Sequence, residues 1–385
     1  MTIQQETAEW IVQQRRYLHA HPELSHQETE TKEYVKQQLE NMGLDTYSMT
    51  GKDIIGILRG KSEGKTVIIR ADMDALPIQE QTGLPFASKH EHVMHACGHD
   101  GHMAILLGVA QQLVNRTDDL AGTILFLFQH AEEELPGGAT QLVEAGLLDG
   151  IDAIFGYHLW QPIPAGIIGV REGATMAGAD RFSFTIQGKG GHGSMPQDTI
   201  DPTLAMSAVI LQIQSIISRS LSPSEEAVLS IGELRAGSNY NIIPDSAYAS
   251  GTVRYFHKEA SQHIRERLHT IIDGVCQAYG ATFELNYQHG DPPLDNDPGL
   301  IAFMEQQAKQ LFGEGQVTRI DGIMGSEDFA YYSTEIPASY IFLGIGQADR
   351  PYGHHHPKFD IDESMLAIGV ELFTESMLAY MGGQS

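Results

Sequence analysis

Apolar runs bounded by polar, glycine-bearing turns alternate with stretches of helical spacing through the first part of the chain. "DIIGILRG", "TVIIRAD", "TILFLFQHA" and "AIFGYHLW" lack the two-residue alternation of a half-exposed strand, so they read as strands buried on both faces. "MAILLGVAQQLV" reads as a buried helix. Ser25 and Glu28 have the spacing of a capping box at the head of "SHQETETKEYVKQQLENMG", with Gly43 as its stop. Together these segments predict an α/β sheet covered by helices on both faces.

The pattern changes near Gly178. From 181 to 289 the succession is strand "RFSFTIQG", helix "DPTLAMSAVILQIQSII", strands "AVLSIGEL" and "AYASGTVRYF", helix "ASQHIRERLHTIIDGVCQAYG" and strand "TFELNYQ". That β-α-β-β-α-β order is the ferredoxin-like unit. "HGDPPLDNDPG" reads as a linker, followed by a helix near 299–312, a strand "SYIFLGIG" and a last helix from 362. The expected organisation is an α/β domain formed by 1–179 and 291–385, with a small α+β domain, 180–290, inserted into it. A length of 385 residues supports two domains.

Composition narrows the function. Lys plus Arg number 24 against 50 Asp plus Glu, a formal charge of −26. Such a surface repels phosphate backbones and anionic lipid, so neither nucleic acid nor a membrane is an expected partner, while divalent cations are favoured. Cys97 and Cys276 are too few and too far apart for a disulfide framework. The polar start "MTIQQETAEW" lacks a signal-type apolar core, and no run reaches the roughly 18 apolar residues of a membrane span. A cytoplasmic protein is expected.

The densest chemistry is "MHACGHDGHMA". Cys97 and His99, two apart, point the same way if the segment is extended, and Asp100 suits the N-cap of the helix that follows. A helix start favours a thiolate. Cys97 then reads three ways: a ligand beside His99 for zinc or a similar ion, a buried thiol among satisfied histidines, or a nucleophile with a histidine base. Other acidic and imidazole side chains close strand-like runs: Asp72 and Asp74, the triplet Glu132, Glu133 and Glu134, and His158. Open α/β sheets collect ligands beyond such strand ends. "YGHHHPKFDIDE" adds His354, His355 and His356. Spacing alone does not say which glutamate of one triplet or which histidine of the other is used.

"RADMDALP", "HACGHDGH", "QHAEEELPGGA", "GGHGSMP", "NIIPD", "GSEDF" and "HHHPKFDIDE" together resemble, in order and over nearly the whole chain, the M20 metallopeptidase family and its aminoacylase and hippurate-hydrolase-like branch. The resemblance implies an α/β catalytic domain with a two-metal site and an inserted ferredoxin-like lid, which also serves dimerisation. It implies five ligands, Cys97, His99, Glu133, His158 and His355, with Cys97 bridging. Where the wider family has H-x-D, this chain has Arg70-Ala71-Asp72. His99 then replaces the missing histidine, and Asp72 orients a ligand histidine from behind. Glu132 becomes the general base and Glu134 a solvated neighbour, while His95 and His102 either back the ligands or pack. His192 becomes the lid histidine that polarises the scissile carbonyl. Asn241, Arg254, Gly325 and Ser326 become contacts to the substrate's free carboxylate.

The implied reaction is metal-dependent hydrolysis of N-acyl-L-amino acids, acetyl or benzoyl among them, to a carboxylate and a free amino acid. Two divalent ions serve each subunit, zinc or manganese, with cobalt and nickel also admissible, in a homodimer. Rival tasks within the family are deacetylation of N-acetyl-diaminopimelate and aminoacyl carboxypeptidase or dipeptidase action. A non-catalytic metal-binding module has no use for Glu132 or His192, and a Cys-His thiol hydrolase predicts activity without metal.

Overall fold

The computed structural model describes residues 3–382. In chain order the elements are α1 (Gln5–Ala20), α2 (Thr29–Asn41), β1 (Asp45–Tyr47), β2 (Ile54–Arg59), β3 (Ser62–Asp72), α3 (His99–Val114), β4 (Ala121–Gln129), α4 (Gly138–Glu144), β5 (Ala153–Pro164), β6 (Ile168–Val170), β7 (Gly173–Met176) and β8 (Gly178–Gln187). They continue as β9 (Gly191–His192), α5 (Pro202–Ser215), β10 (Ala227–Ala236), β11 (Ile242–Ile243), β12 (Ser246–Tyr255), α6 (Lys258–Tyr279), β13 (Thr282–His289), β14 (Leu294–Asn296), α7 (Pro298–Phe312), β15 (Val317–Arg319), α8 (Ala330–Ser333), β16 (Ala338–Gly346) and α9 (Ser364–Met381). The chain forms two compact units. One holds the chain through Gly173, Asp295–Asp321 and the chain from Tyr331 onward; the other holds Ala174–Leu294 and Gly322–Ala330.

The first unit is built on a sheet of order β1-β2-β4-β3-β5-β16-β6-β15. Its centre, β4-β3-β5-β16, is parallel, and antiparallel pairs flank it. This explains the unbroken apolar runs: the last six residues of both β3 and β4 are buried, so neither strand has a solvent face to alternate with. Helix α3 is buried almost all round because it packs on β3 and β5 and against α1 and α9.

Two local readings are corrected here. The pair Ser25 and Glu28 does not form a capping box: the residue before α2 makes no side-chain cap bond. Glu23 instead accepts from the Thr31 N–H at 2.8 Å. Ser25 donates to Asp74 at 2.7 Å, and Glu28 accepts from the Ala131 N–H at 2.7 Å. Both side chains are buried, where donors and acceptors without partners are costly, so they pair inward. The start "QETAEWIVQQRRYLHA", from which no element was expected, is helix α1, which buries Ile11, Arg15 and Leu18.

The second unit has a wholly antiparallel sheet of order β10-β12-β8-β13, with α5 and α6 packed on it. Alternate residues of β8 are buried, among them Phe182, Phe184 and Ile186, which join Val209, Ile264 and Leu268 in one core. Gly322–Ala330 attaches through the Ala177 N–H, which donates to Ile323 O at 2.9 Å and Gly325 O at 3.0 Å. No helix among the described residues is long and apolar enough to cross a membrane.

Candidate metal centre

The parallel register sets Asp72 of β3 opposite Gln129 of β4, and carrying the Ile69–Phe155 pairing forward brings His158 of β5 level with them. The segments leaving β3 and β4 therefore meet the side of β5 at one edge of the sheet. His158 lies within β5, which runs on to Pro164, and not at a strand end as its sequence suggested.

Cys97 and His99 meet through a turn, not an extended segment. Gly98, between them, has φ 95° and N-caps α3. A Cβ is disfavoured in that conformation, so the motif needs glycine here. Asp100 is therefore not the N-cap but sits in the first turn, where its carboxylate accepts from Arg15 Nε at 2.7 Å and His19 Nδ1 at 2.8 Å. Burial opposes its ionisation, but Arg15 and His19 more than offset this and hold its carboxyl far below the usual range.

Three donor sets overlap. The ligand atoms of Cys97, His99 and His158 lie within 4.8 Å of one another, as do those of Cys97, Glu133 and His355, and those of His99, Glu132 and Glu133. Cys97 is common to the first two. His158 gives its Nδ1–H to Leu159 O at 2.9 Å and turns Nε2 toward Cys97 Sγ, 3.6 Å away. His99 gives Nδ1–H to Asp74 O at 2.8 Å, which leaves its Nε2 buried without a partner. A thiol, imidazole nitrogens and a carboxylate around a bare buried nitrogen are the donors that a zinc-type cation takes, so the residues fit the ion.

The field within the cluster is negative. Burial pushes the Cys97 thiol well up, and Glu133, Glu132 and Asp72 add to it. That is opposite to the thiolate expected from the helix start alone. Burial lowers His99, but Asp72, Asp74 and Glu133 outweigh it and raise this imidazole to about 10. His158 is held well below its usual value by burial, with His102 and His354 beside it. Cys97 and His99 thus favour their protonated forms, and a cation held by them would have to displace those protons.

Of the three terminal histidines, His355 faces the cluster, its Nε2 being 3.1 Å from Glu133 Oε1. His354 bonds Leu159 O at 2.9 Å and stacks on Trp160, while His356 is exposed and accepts from the Lys358 N–H. Within the glutamate triplet, Glu132 and Glu133 are half-buried and Glu134 is exposed. Asp72 differs from its expected place behind a ligand histidine. Its carboxylate is 2.7 Å from both His102 Nδ1 and Arg70, while His99 Nδ1 is 3.7 Å away. His102 is spoken for, since its Nε2 accepts from the Leu159 N–H at 2.9 Å. Asp74, two residues along the chain, is what orients His99, and its Oδ2 also accepts from the Glu133 N–H at 3.0 Å. The sequence marked Asp74 as a strand-end acid without a role; its side chain serves Ser25 and the Glu133 N–H, while that of Asp72 serves Arg70 and His102.

In the second unit, His192 is exposed, with Nδ1 accepting from Ser194 N–H and paired with Ser194 Oγ. The Gly193 N–H donates to Asn241 O at 2.9 Å, so His192 and Asn241 are neighbours. Arg254 is not with them. They flank the Gln187–Ser246 end of the sheet, and Arg254 pairs with Ala179 at the other end, eight residues along β12. At ~3.4 Å per residue that is about 27 Å. Arg254 belongs instead with Asp291, which Ser326 also bonds and whose carboxyl is pushed up to about 6 by burial and Glu327. Gly325 has its carbonyl committed to the Ala177 N–H.

Residues 68–379 match Peptidase family M20/M25/M40. The chain belongs to this family. An N-acetylcysteine deacetylase of Bacillus subtilis is 41% identical over 369 residues, covering 95% of each chain. An N-acyl-L-amino acid amidohydrolase of Geobacillus stearothermophilus is 45% identical over 332 residues, 78% of this chain and 90% of that one. A dinuclear metal-binding M20 peptidase of known structure, from Bacillus subtilis, superposes with a TM-score of 0.87 at 38% identity, covering 98% and 99% of the two chains. This M20 member is a hydrolase with the mixed α/β fold of that family.

Proposed function

We propose that this M20 hydrolase cleaves the amide bond of N-acyl-L-amino acids, releasing a carboxylate and a free amino acid, and that Cys97, His99, Glu133, His158 and His355 hold two divalent cations. The observation that carries this is the pair of three-donor sets hinged on Cys97, with Glu132 beside them. The substrates named for the relatives agree with it. Thiol and imidazole donors favour zinc, and manganese, cobalt and nickel remain admissible.

Bound cations supply Lewis-acid charge that makes a nearby water acidic and steadies negative charge on a carbonyl oxygen. Glu132 accepts the proton of the attacking water and returns it to the leaving nitrogen. Glu133 suits a ligand better, because it is shared by the set built on Cys97 and the set built on His99. Asp74 fixes the ring of His99 and the backbone of Glu133. Asp72 acts at one remove, bracing His102 and with it the β5 backbone beside His158.

The second unit is read as a ferredoxin-like lid and dimerisation domain, a reading its β-α-β-β-α-β order supports. His192 is assigned to the developing oxyanion, with Asn241 beside it. The substrate carboxylate is assigned to Arg254 and Ser326, with Gly325 beside Ser326; because one small substrate cannot span the length of β12, His192 and Asn241 are assigned to a substrate held by the other subunit of a homodimer. A cytoplasmic homodimer is the assembly we infer. The test is a pair of variants assayed on N-acetyl amino acids. Glu132→Gln should lower kcat by about 10²–10⁴ with metal content kept, and Glu133→Gln should lower metal occupancy. The reverse pattern would exchange the two roles.

A further inference from the structure

The loop that carries Glu132 is held from a part of the chain remote in sequence. Ala131, just before Glu132, is fully buried and has φ 48°, in the left-handed region that a residue with a Cβ avoids. Both of its backbone polar groups are fixed. Its N–H donates to Glu28 Oε1 at 2.7 Å, and its carbonyl accepts from the Gly138 N–H at 2.8 Å. Gly138 is forced to be glycine, since a Cβ there would lie 1.9 Å from His130 O. On the other side of Glu132, the Glu133 N–H donates to Asp74 Oδ2 at 3.0 Å, and Ser25 Oγ donates to that same oxygen at 2.7 Å. The amides flanking Glu132 are thus held by two buried side chains three residues apart, Glu28 directly and Ser25 through Asp74. Neither is needed at the start of α2, where Glu23 supplies the acceptor.

We propose that Glu28, seconded by Ser25, is a positioning residue for Glu132: it holds the Ala131 amide in the left-handed bend that aims the Glu132 carboxylate. The inference rests on the reading of Glu132 as the base. A base must stay within hydrogen-bond reach of the proton it takes, about 2.6–3.2 Å. A misplacement of roughly 1 Å costs up to about 10²-fold in rate. Side chains that bind substrate lie elsewhere, so losing the brace should act on kcat and leave KM alone.

The experiment compares Glu28→Ala, Glu28→Gln and Ser25→Ala, each alone and with Glu132→Gln, in the full chain. Glu28→Ala should lower kcat by about 10- to 100-fold, with KM and metal content as in the wild type. Glu28→Gln, whose side-chain carbonyl can still accept from Ala131, should recover most of that loss. With Glu132→Gln already present, Glu28→Ala should add no further fall, because a positioning residue acts only through the group it positions. In the metal-free protein, amide exchange at Ala131 and Glu133 should quicken in Glu28→Ala while β3 and β4 keep their protection. Should Glu28→Ala fail to fold, Ser25→Ala must show the same kcat-only loss at smaller size and faster exchange at Glu133. The proposal is overturned if these variants keep wild-type kcat and exchange, or if Glu28→Ala costs as much with Glu132→Gln as without it. An active Glu132→Gln enzyme would overturn the reading of the base and leave the exchange result standing. An inactive Glu132→Gln beside an unimpaired Glu28→Ala would overturn the brace alone.

Discussion

Replacing Arg15 by Met removes a buried guanidinium that pairs with three carboxylates, one of them Asp100, the residue after His99. The Arg15 side chain is 1% exposed, with Asp100 at 2.7 Å, Asp360 at 2.8 Å and Glu363 at 3.2 Å. Met fills much of the same volume, so the change is chiefly electrostatic. Asp360 retains Arg350 and Glu363 retains Arg16, while the fully buried Asp100 keeps His19 and loses its guanidinium. Removing one partner of a buried ion pair costs about 3–5 kcal/mol. Because the other two acids keep partners, we place the loss near the lower bound, about 3 kcal/mol.

The readout is clean because the protein has two tryptophans, Trp10 and Trp160, and both belong to the first unit. Urea unfolding followed by their fluorescence, at pH 7.5 with chelator present, should show the midpoint falling by about 1 M at an m-value of roughly 3 kcal/mol/M. The pH dependence has a definite sign. The Asp100 carboxyl is depressed in the folded state, so its stabilisation is complete above the ordinary carboxyl value of 3.8 and is lost as pH falls below it. Wild type should lose up to about 1.4 kcal/mol per pH unit there, and Asp100→Asn should lack that component. An Arg15→Met midpoint within about 0.3 M of wild type at pH 7.5, under 1 kcal/mol by the same slope, would refute the reasoning.

Alanine substitution across His354, His355 and His356 should lower metal occupancy at His355, measured by elemental analysis after gel filtration. His356→Ala should behave as wild type, and His354→Ala should show a loss of stability from its contact with Trp160. Arg254→Ala should lower kcat/KM for N-acyl amino acids by about 10- to 150-fold, the loss of a charge-assisted bond of roughly 1.5–3 kcal/mol, and should barely affect substrates whose carboxylate is amidated. Equal losses on both substrates would make Arg254 a support of Asp291 and not a substrate contact.

The central sheet was legible because double burial writes itself as unbroken apolar runs, and the antiparallel sheet of the second unit because its strands alternate. Helix α1 escaped because its buried face includes Gln14, Arg15 and His19, which carry no apolar signal. The side chains that gather in the donor cluster were named from the sequence, but several of their relations were not. Ser25 and Glu28 have capping-box spacing, yet their partners Asp74 and Ala131 are distant in sequence. Asp72 and Asp74 stand two apart on one strand-end segment, and only tertiary packing says which faces His102 and which serves His99. Asn241 and Arg254 lie thirteen residues apart along the chain, while the length of β12 carries them to opposite ends of a sheet.

The most direct test of the account is metal content measured together with hydrolysis of an N-acetyl amino acid during stepwise reconstitution of chelated protein. Two divalent ions should bind per chain, with hydrolysis absent from the chelated protein and restored as they bind, and Cys97→Ser should fail to retain both. Full hydrolysis by protein holding less than about 0.1 ion per chain, where a metal-supplied Lewis acid would be missing, would contradict it.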